Sequence, residues 1–279
     1  SQLEGPIKEA GIDVLFTAIA DAPTKVSVPF VLYALDLRQF EEDYLRRHRG
    51  GAGVLKRAKA ICTQAASIVA PSEFVRKRHL ALLDTPLNKV TVAPLGVEEI
   101  FAQPQAPIVE KPYFLTVGNT RDFKNIARML EAFKLLEAEC PKHNLVVVGH
   151  PCEGEPENWG PRVIRIDSCP ANYLASVYQH CDVYIQPSLY EGSGVTVLEA
   201  MKAGAPVATS RTGGIEEVAG TIPFFFNAES TASIVAAIRW ALEEAPDKRQ
   251  ERLRQGRKIA DEYTWDRTAW KILAAFKSI

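Results

Sequence analysis

The chain has 279 residues, 47% apolar and 24% charged, and its 33 basic and 34 acidic side chains leave a formal net charge of −1. That length holds two modest domains or one large one, and the balanced charge argues against nucleic acid or an anionic membrane surface as a partner. The five cysteines (Cys62, Cys140, Cys152, Cys169, Cys181) show no CxxC pair and no partner at zinc-ligand spacing, so reduced thiols and no metal site are expected. No apolar run approaches the roughly 20 residues of a membrane span, and the opening "SQLEGPIKEAG" has no charged-then-apolar leader pattern. The expected location is cytoplasmic, free or peripheral to a membrane.

In chain order, short β-branched or apolar runs alternate with amphipathic stretches, the pattern of an α/β protein whose parallel sheets are covered by helices. Strands are expected at 12–16, 29–35, 67–72 and 89–94. The basic stretches 46–57 and 76–78 read as solvated helix faces. "FAQPQAPIVEKP" (101–112) breaks the pattern and reads as a linker between two units. The second unit restarts with a strand at 113–118, followed by a helix in which Ile126, Met129, Leu130, Phe133 and Leu136 recur at helical spacing. Strands at 144–149 and 162–167, a helix at 171–181, and strands at 182–188 and 206–210 follow. Helices at 230–245, 247–261 and 263–276 close the chain. The five histidines (48, 79, 143, 150, 180) read as surface or packing residues.

"PSLYEGSGVTVLEAMKAGAPV" (187–207) follows an expected strand and opens a helix near Gly194. Ligands of open parallel sheets bind beyond the carboxyl ends of the strands. The first N–H groups of a helix lack intrahelical partners and sit at the positive end of its dipole, so an anion, and a phosphate best of all, is welcome there. Gly192 and Gly194, without Cβ, are expected to let a ligand approach these amides closely. Glu191 precedes the turn and Glu199 lies inside the helix, roughly 8 to 12 Å away at about 1.5 Å rise per residue. Two carboxylates flanking an anion site match two sugars flanking a diphosphate, the outline of a nucleotide-sugar. The plainer alternative is a glycine turn with one surface and one helical glutamate. "TVGNTRDFKN" (116–125) follows another strand of the same unit and directs Lys124 and Arg121 toward the same crevice, as charge for a leaving diphosphate. For Lys124 the plainer alternative is an exposed cation at a helix start.

These residues resemble the family-4 retaining glycosyltransferases, which have the two-domain GT-B fold. The resemblance rests on "PSLYEGSGVTVLEAMKAGAPVATSRTGGIEEVAG" (187–220), "FLTVGNTRDFKNIARMLEAF" (114–133), "YTWDRTAWKIL" (263–273), and "SIVAPSEFVRKRHL" with "KVTVAPLGVE" between 67 and 98. It implies two Rossmann-like domains: a partial acceptor-side domain at 1–103, a donor-binding domain at 104–262, and a helix at 263–279 that crosses back to the first. Carried over to this sequence, Glu199 holds the ribose hydroxyls, Glu191 and the amides of Gly192, Ser193, Gly194 and Val195 face the donor sugar, and Lys124 neutralises the departing diphosphate. Gly118, Asn119, Arg121 and Thr196 complete the implied donor set, and the nucleobase lies near Ile166 and is read by backbone. Lys124 and Glu191 are the implied catalytic pair.

The sequence departs from the family pattern in three ways. The strand, glycine-rich loop and two further strands that come ahead of "IDVLF" in the family are not in this sequence. The expectation is a shortened first domain whose strand 12–16 is an open edge that meets a second copy or another polypeptide. Leu35 stands where the family commonly has a histidine, before Asp36. Asn119 and Phe123 occupy places where an arginine is frequent, leaving Arg121 as the substitute, and Leu95 replaces a frequent hinge asparagine. The implied activity is transfer of a sugar from a nucleoside diphosphate sugar to an acceptor hydroxyl (of a sugar, a lipid-linked or a small molecule), with retention and without metal or cofactor. A nucleotide-sugar binding module, or the donor-binding subunit of a two-chain transferase, is the alternative.

Overall fold

The computed structural model describes residues 3–19, 22, 25–47, 51–152, 159–277 and 279; His48, with residues 49 and 50 of the basic stretch, lies outside them. In chain order the elements are α1 (Glu4–Glu9), β1 (Leu15–Ala18), β2 (Phe30–Tyr33), α2 (Glu42–Arg47), α3 (Gly51–Gln64), β3 (Ser67–Ala70), α4 (Glu73–Leu83), β4 (Val90–Val92) and β5 (Tyr113–Val117). Then come α5 (Ile126–Leu136), β6 (Asn144–Val148), β7 (Val163–Ile166), α6 (Ala171–His180), β8 (Val183–Gln186) and α7 (Val195–Ala203). The chain ends with β9 (Val207–Ser210), α8 (Ile215–Ala219), β10 (Phe224–Phe226), α9 (Thr231–Glu243), α10 (Pro246–Ala260) and α11 (Trp265–Lys277). Two compact units result, one of Ser1–Gly96 with Trp265–Ile279, the other of Val97–Thr264.

The first unit holds a parallel sheet in the order β1-β2-β3-β4. Successive side chains of a strand point to opposite faces, so β2 and β3 stay buried only where both faces are covered. On one face Leu32 and Ile68 pack with Ala58, Ile61 and Cys62 of α3 and with Val75 and Leu83 of α4. On the other, Val31 and Val69 pack with Ile272, Ala275 and Phe276 of α11. That helix buries Thr268 as well, one helical face in all, and the Thr268 hydroxyl donates to the Pro94 carbonyl at 2.6 Å. β1 begins three residues later than its expected 12–16 span and is an edge strand of the described sheet. Phe16 on it is 48% exposed although its ring rests on those of Tyr33 and Phe276, at 5.8 and 5.7 Å.

The second unit holds a parallel sheet in the order β10-β9-β8-β5-β6-β7. Both faces are covered: Tyr113 and Leu115 of β5 point into one core with Tyr178 of α6 and Leu198 of α7, while Phe114 points into another with α5 and α9. Ile126, Met129, Phe133 and Leu136 are the buried stripe of α5, each contributing about 1.5–3 kcal/mol by leaving water. α8 and β10 were not expected from the sequence: Phe224–Phe226 is an edge strand of three identical residues, which no alternation of apolar and polar positions marks.

The boundary falls at Gly96 and Val97 instead of at 103 and 104, and the proline-rich stretch is no free linker. Val97 and Phe101 are buried in the second unit's core. Gln179 of α6 donates to the carbonyls of Phe101 (3.0 Å) and Gln103 (2.8 Å), and Ser176 donates to that of Ala106 (2.6 Å), strapping the stretch down. The prolines keep it extended while side chains of α6 supply its hydrogen bonds, a long-range partnership that composition does not reveal. All five cysteines are free.

Strand order positions the site. From β5 the chain steps outward through β6 and β7, then returns to the other side of β5 as β8. The pair β5 and β8 is therefore the point where the order reverses, and in open parallel sheets that is where the crevice for a ligand lies, beyond the carboxyl ends of the strands.

Candidate functional site

The loops at that crevice carry Lys124, after β5, and Glu191, after β8. They meet: Lys124 Nζ lies 2.7 Å from Glu191 Oε1, with both side chains largely buried. Lys124 ends a 3-10 turn, Asp122–Lys124, and its methylenes lie over Gly118. Asn125, left-handed at φ 59, locks that turn in place. Its amide donates to the carbonyls of Pro187 (2.9 Å) and Ala228 (2.8 Å), while Leu189 N–H donates to the Phe123 carbonyl at 2.7 Å. The lysine loop and the glutamate loop are thus fastened to each other by one main-chain bond, from Leu189 to Phe123, and one from the Asn125 side chain to Pro187, each such bond contributing a net of about 1 kcal/mol.

The Glu191 turn is seated from a third loop. Gly214 N–H donates to the Glu191 carbonyl at 3.0 Å, and the Thr212 hydroxyl donates to that of Leu189 at 2.9 Å. Gly213 has φ +60, and a Cβ there would fall 1.7 Å from the Glu191 carbonyl oxygen, so only glycine lets the two loops close. Gly194, the N-cap of α7, has a different duty from the one expected of it. Its φ is +74 and a Cβ would meet Ile215 and Val218 at 3.1–3.2 Å, so its bareness serves packing against α8. The amides of Val195 and Thr196 remain at the head of α7 without intrahelical acceptors, whereas those of Val197 and Leu198 turn back to the Gly194 carbonyl.

Behind the turn lies a buried polar network. Glu191 Oε1 accepts from the Ser188 hydroxyl at 2.6 Å and from the Gln186 amide nitrogen, in addition to Lys124. Gln186 Oε1 accepts from the Tyr184 hydroxyl and from the Thr196 hydroxyl, the latter at 3.1 Å. Tyr184 packs edge-on against Tyr178 with ring centroids 5.1 Å apart, and the Tyr178 hydroxyl donates to Glu199 Oε2 at 3.2 Å. The two glutamates of the motif therefore lie at the ends of one chain of contacts. Burial pushes the Glu199 carboxyl up to about 7, the Tyr178 hydrogen bond opposing and the Glu98 charge adding to the shift. Burial likewise raises the Tyr178 and Tyr184 phenols well above their ordinary range.

The remaining expected residues are spread around this centre. Asn119 accepts the Arg121 N–H at 3.4 Å, and Arg121 is exposed at the start of the lysine turn. Ser193 is partly buried and Gly192 buried within the Glu191 loop. Ile166 ends β7, and its carbonyl already accepts from Gly149 N–H at 2.9 Å. Gln186, Ser188, Tyr178, Tyr184, Gly213 and Asn125 were not foreseen as site residues. The polar pair Gln186 and Ser188 ending an otherwise apolar strand was the signal available. Among the described residues, no cluster of His, Cys, Asp and Glu is placed to hold a metal ion, and no helix is long and apolar enough to cross a membrane.

Residues 97–259 match the sequence model of the glycosyl transferases group 1 family. The chain is 24% identical over 236 residues to O-antigen chain mannosyltransferase B of Escherichia coli, an alignment covering 76% of this chain and 61% of that protein. It thus spans about three fifths of that relative's length. Among solved structures, sucrose-phosphate synthase from Thermosynechococcus elongatus superposes with a TM-score of 0.79 at 18% identity, over 98% of this chain and 75% of that one. An E. coli trehalose-6-phosphate structure bound with UDP-2-fluoro glucose superposes with a TM-score of 0.76 at 12% identity, over 99% and 76%. The chain belongs to the glycosyl transferases group 1 family, and its two parallel α/β sheets match the GT-B glycosyltransferases.

Proposed function

We propose that this group 1 glycosyltransferase moves a hexosyl group from a nucleoside diphosphate sugar to an acceptor hydroxyl with retention at the anomeric carbon, in the manner of the family-4 enzymes. The observation that carries the reading is the 2.7 Å meeting of Lys124 and Glu191 at the reversal point of the sheet, beside the amides heading α7. Lys124, with Arg121 nearby, takes the diphosphate: a phosphate oxygen draws the amine off Glu191 and receives its charge as the leaving group forms. Charge placed where it develops in the transition state lowers the barrier. Glu191 and the amides of Gly192 to Val195 face the donor sugar, and ionised Glu199 accepts the ribose hydroxyls. Positive charge from the chain itself makes a metal unnecessary in this scheme.

A donor-binding module with little turnover of its own is the second reading. Its support is that the donor constellation lies wholly within residues 97–259, whereas Leu35, 50% exposed, stands in the first unit where the family pattern has histidine. Incubating the chain with a panel of nucleoside diphosphate sugars and measuring release of the diphosphate separates the two. Release, by transfer or slow hydrolysis, supports the enzyme; binding without release supports the module; neither outcome sinks both.

A further inference from the structure

We propose that Gln186 is a positioning residue for Glu191: its amide decides which carboxylate oxygen the protein engages and which is left to the donor sugar. The inference rests on the transfer reading above. Glu191 Oε1 accepts from Lys124, Ser188 and Gln186, and none of the described bonds reaches Oε2. The two oxygens of one carboxylate are thus divided, one held by three donors and the other available for sugar hydroxyls.

Gln186 is suited to this because its own hydrogen bonds are complete. It is 1% exposed at the carboxyl end of β8, a position in a central parallel strand that ordinarily takes an apolar side chain. Burying an amide there is costly unless every group is matched. Both Nε2 protons are used, one to Glu191 and one to Ser188 at 3.0 Å, and Oε1 accepts from Tyr184 and Thr196. A flipped amide would set its carbonyl against the Glu191 carboxylate, so the orientation has one solution. The amide holds the carboxylate without adding charge beside a diphosphate. It is also tied to Thr196 on the first turn of α7, so the carboxylate and the helix head that faces the donor are held by one side chain.

The substitution Gln186→Glu tests this. The new carboxylate keeps the acceptors for Tyr184 and Thr196 but sets an oxygen against Glu191, and two such groups share one proton until pH removes it. At low pH the shared proton replaces the lost donor; at high pH the two charges repel and Glu191 swings away. Diphosphate release by Q186E, relative to the unaltered chain, is expected within about threefold at pH 6 and lower by a further factor of about ten at pH 9. Affinity of Q186E for the nucleoside diphosphate alone, measured by calorimetry and taken relative to the unaltered chain at the same pH, should stay within about threefold across that range. Ser188→Ala, which removes a second donor from the same oxygen, should lower turnover about three- to tenfold while leaving that affinity alone, and serves if Q186E does not fold. A Q186E-to-unaltered ratio that is the same at both pH values, or that rises with pH, overturns the assignment, as does an S188A chain of full turnover. An unaltered chain that releases diphosphate from no donor removes the transfer reading and this assignment with it; one that turns over while the ratio stays flat removes the assignment alone.

Discussion

In the first unit the strands run β1-β2-β3-β4 in chain order, each crossover stepping the same way, and α3 and α4 collect on one face; in the second the order turns back at β5. Right-handed crossovers put helices on opposite faces only when the direction of travel reverses. Hence α5 covers one face of the second sheet and α6 with α7 the other, whereas the second face of the first sheet is covered by α11, from the far end of the chain. Two consequences follow from this single difference. The second unit gathers partnered polar groups at the carboxyl ends of β5 and β8, where its order reverses. The described part of the first has no such reversal and leaves Phe16 of β1 and Leu35 after β2 about half exposed.

The sharpest way to break the comparison is Lys124→Ala. Diphosphate release should fall about 10²- to 10³-fold, with a smaller loss of donor affinity, since the charge acts where the transition state needs it. Weaker binding at unchanged turnover would remove Lys124 from the chemistry.

Next in size is Asn125→Ala, which removes the side-chain donor to the Pro187 carbonyl, leaves the Ala228 carbonyl to Arg128 alone, and places alanine in a left-handed conformation. A loss of about 2–4 kcal/mol in urea unfolding is expected. Asn125→Gly, which relieves only the backbone, should recover part of it.

Glu199→Ala should weaken nucleoside diphosphate binding about 10- to 100-fold by calorimetry, or roughly 1.4–2.8 kcal/mol. The raised carboxyl gives this residue two pH signatures of opposite sign. Its folded value of about 7 lies above the ordinary 4.5, so the folded state binds the extra proton between them. Its contribution to stability is present below about 4.5 and is lost as pH rises through about 7. Nucleotide affinity should climb over the upper part of that window, as the carboxylate that accepts the ribose hydroxyls ionises. Glu199→Gln should flatten both curves; a Gln variant whose affinity still rises with pH would assign the titration to another group.

The smallest effect belongs to the other sheet. Phe16→Ser, at a half-exposed position of β1, should leave diphosphate affinity within about twofold and shift stability by less than about 1 kcal/mol. A large loss of affinity there would show that the two units do not divide the work as their topologies suggest.

Much of this is legible in the sequence. The stripe of α5 and the runs ending at Val117, Val148, Ile166 and Gln186 follow from helical and strand periodicity, which is local. So does the strand-to-helix corner that ends at Gly194, because a glycine at a helix start is a local feature too, although its packing against α8 is not. The start of β1 was misread by three residues, since a half-covered strand has a weaker pattern than a buried one. The stretch 101–112 was misread as a linker, since its hydrogen bonds come from Gln179 and Ser176, some 70 residues on.

By itself the sequence determined that βα units recur, that one strand-to-helix corner carries two glutamates, and that a lysine follows another strand. Only the tertiary structure decided that β5 and β8 are neighbours, so that Lys124 reaches Glu191 across 67 positions of chain, and that Gln186 donates to the same Glu191 oxygen. Periodicity is written within a few residues of chain, whereas strand order and the matching of buried polar groups are settled by which surfaces can be covered at once, and no local stretch records that.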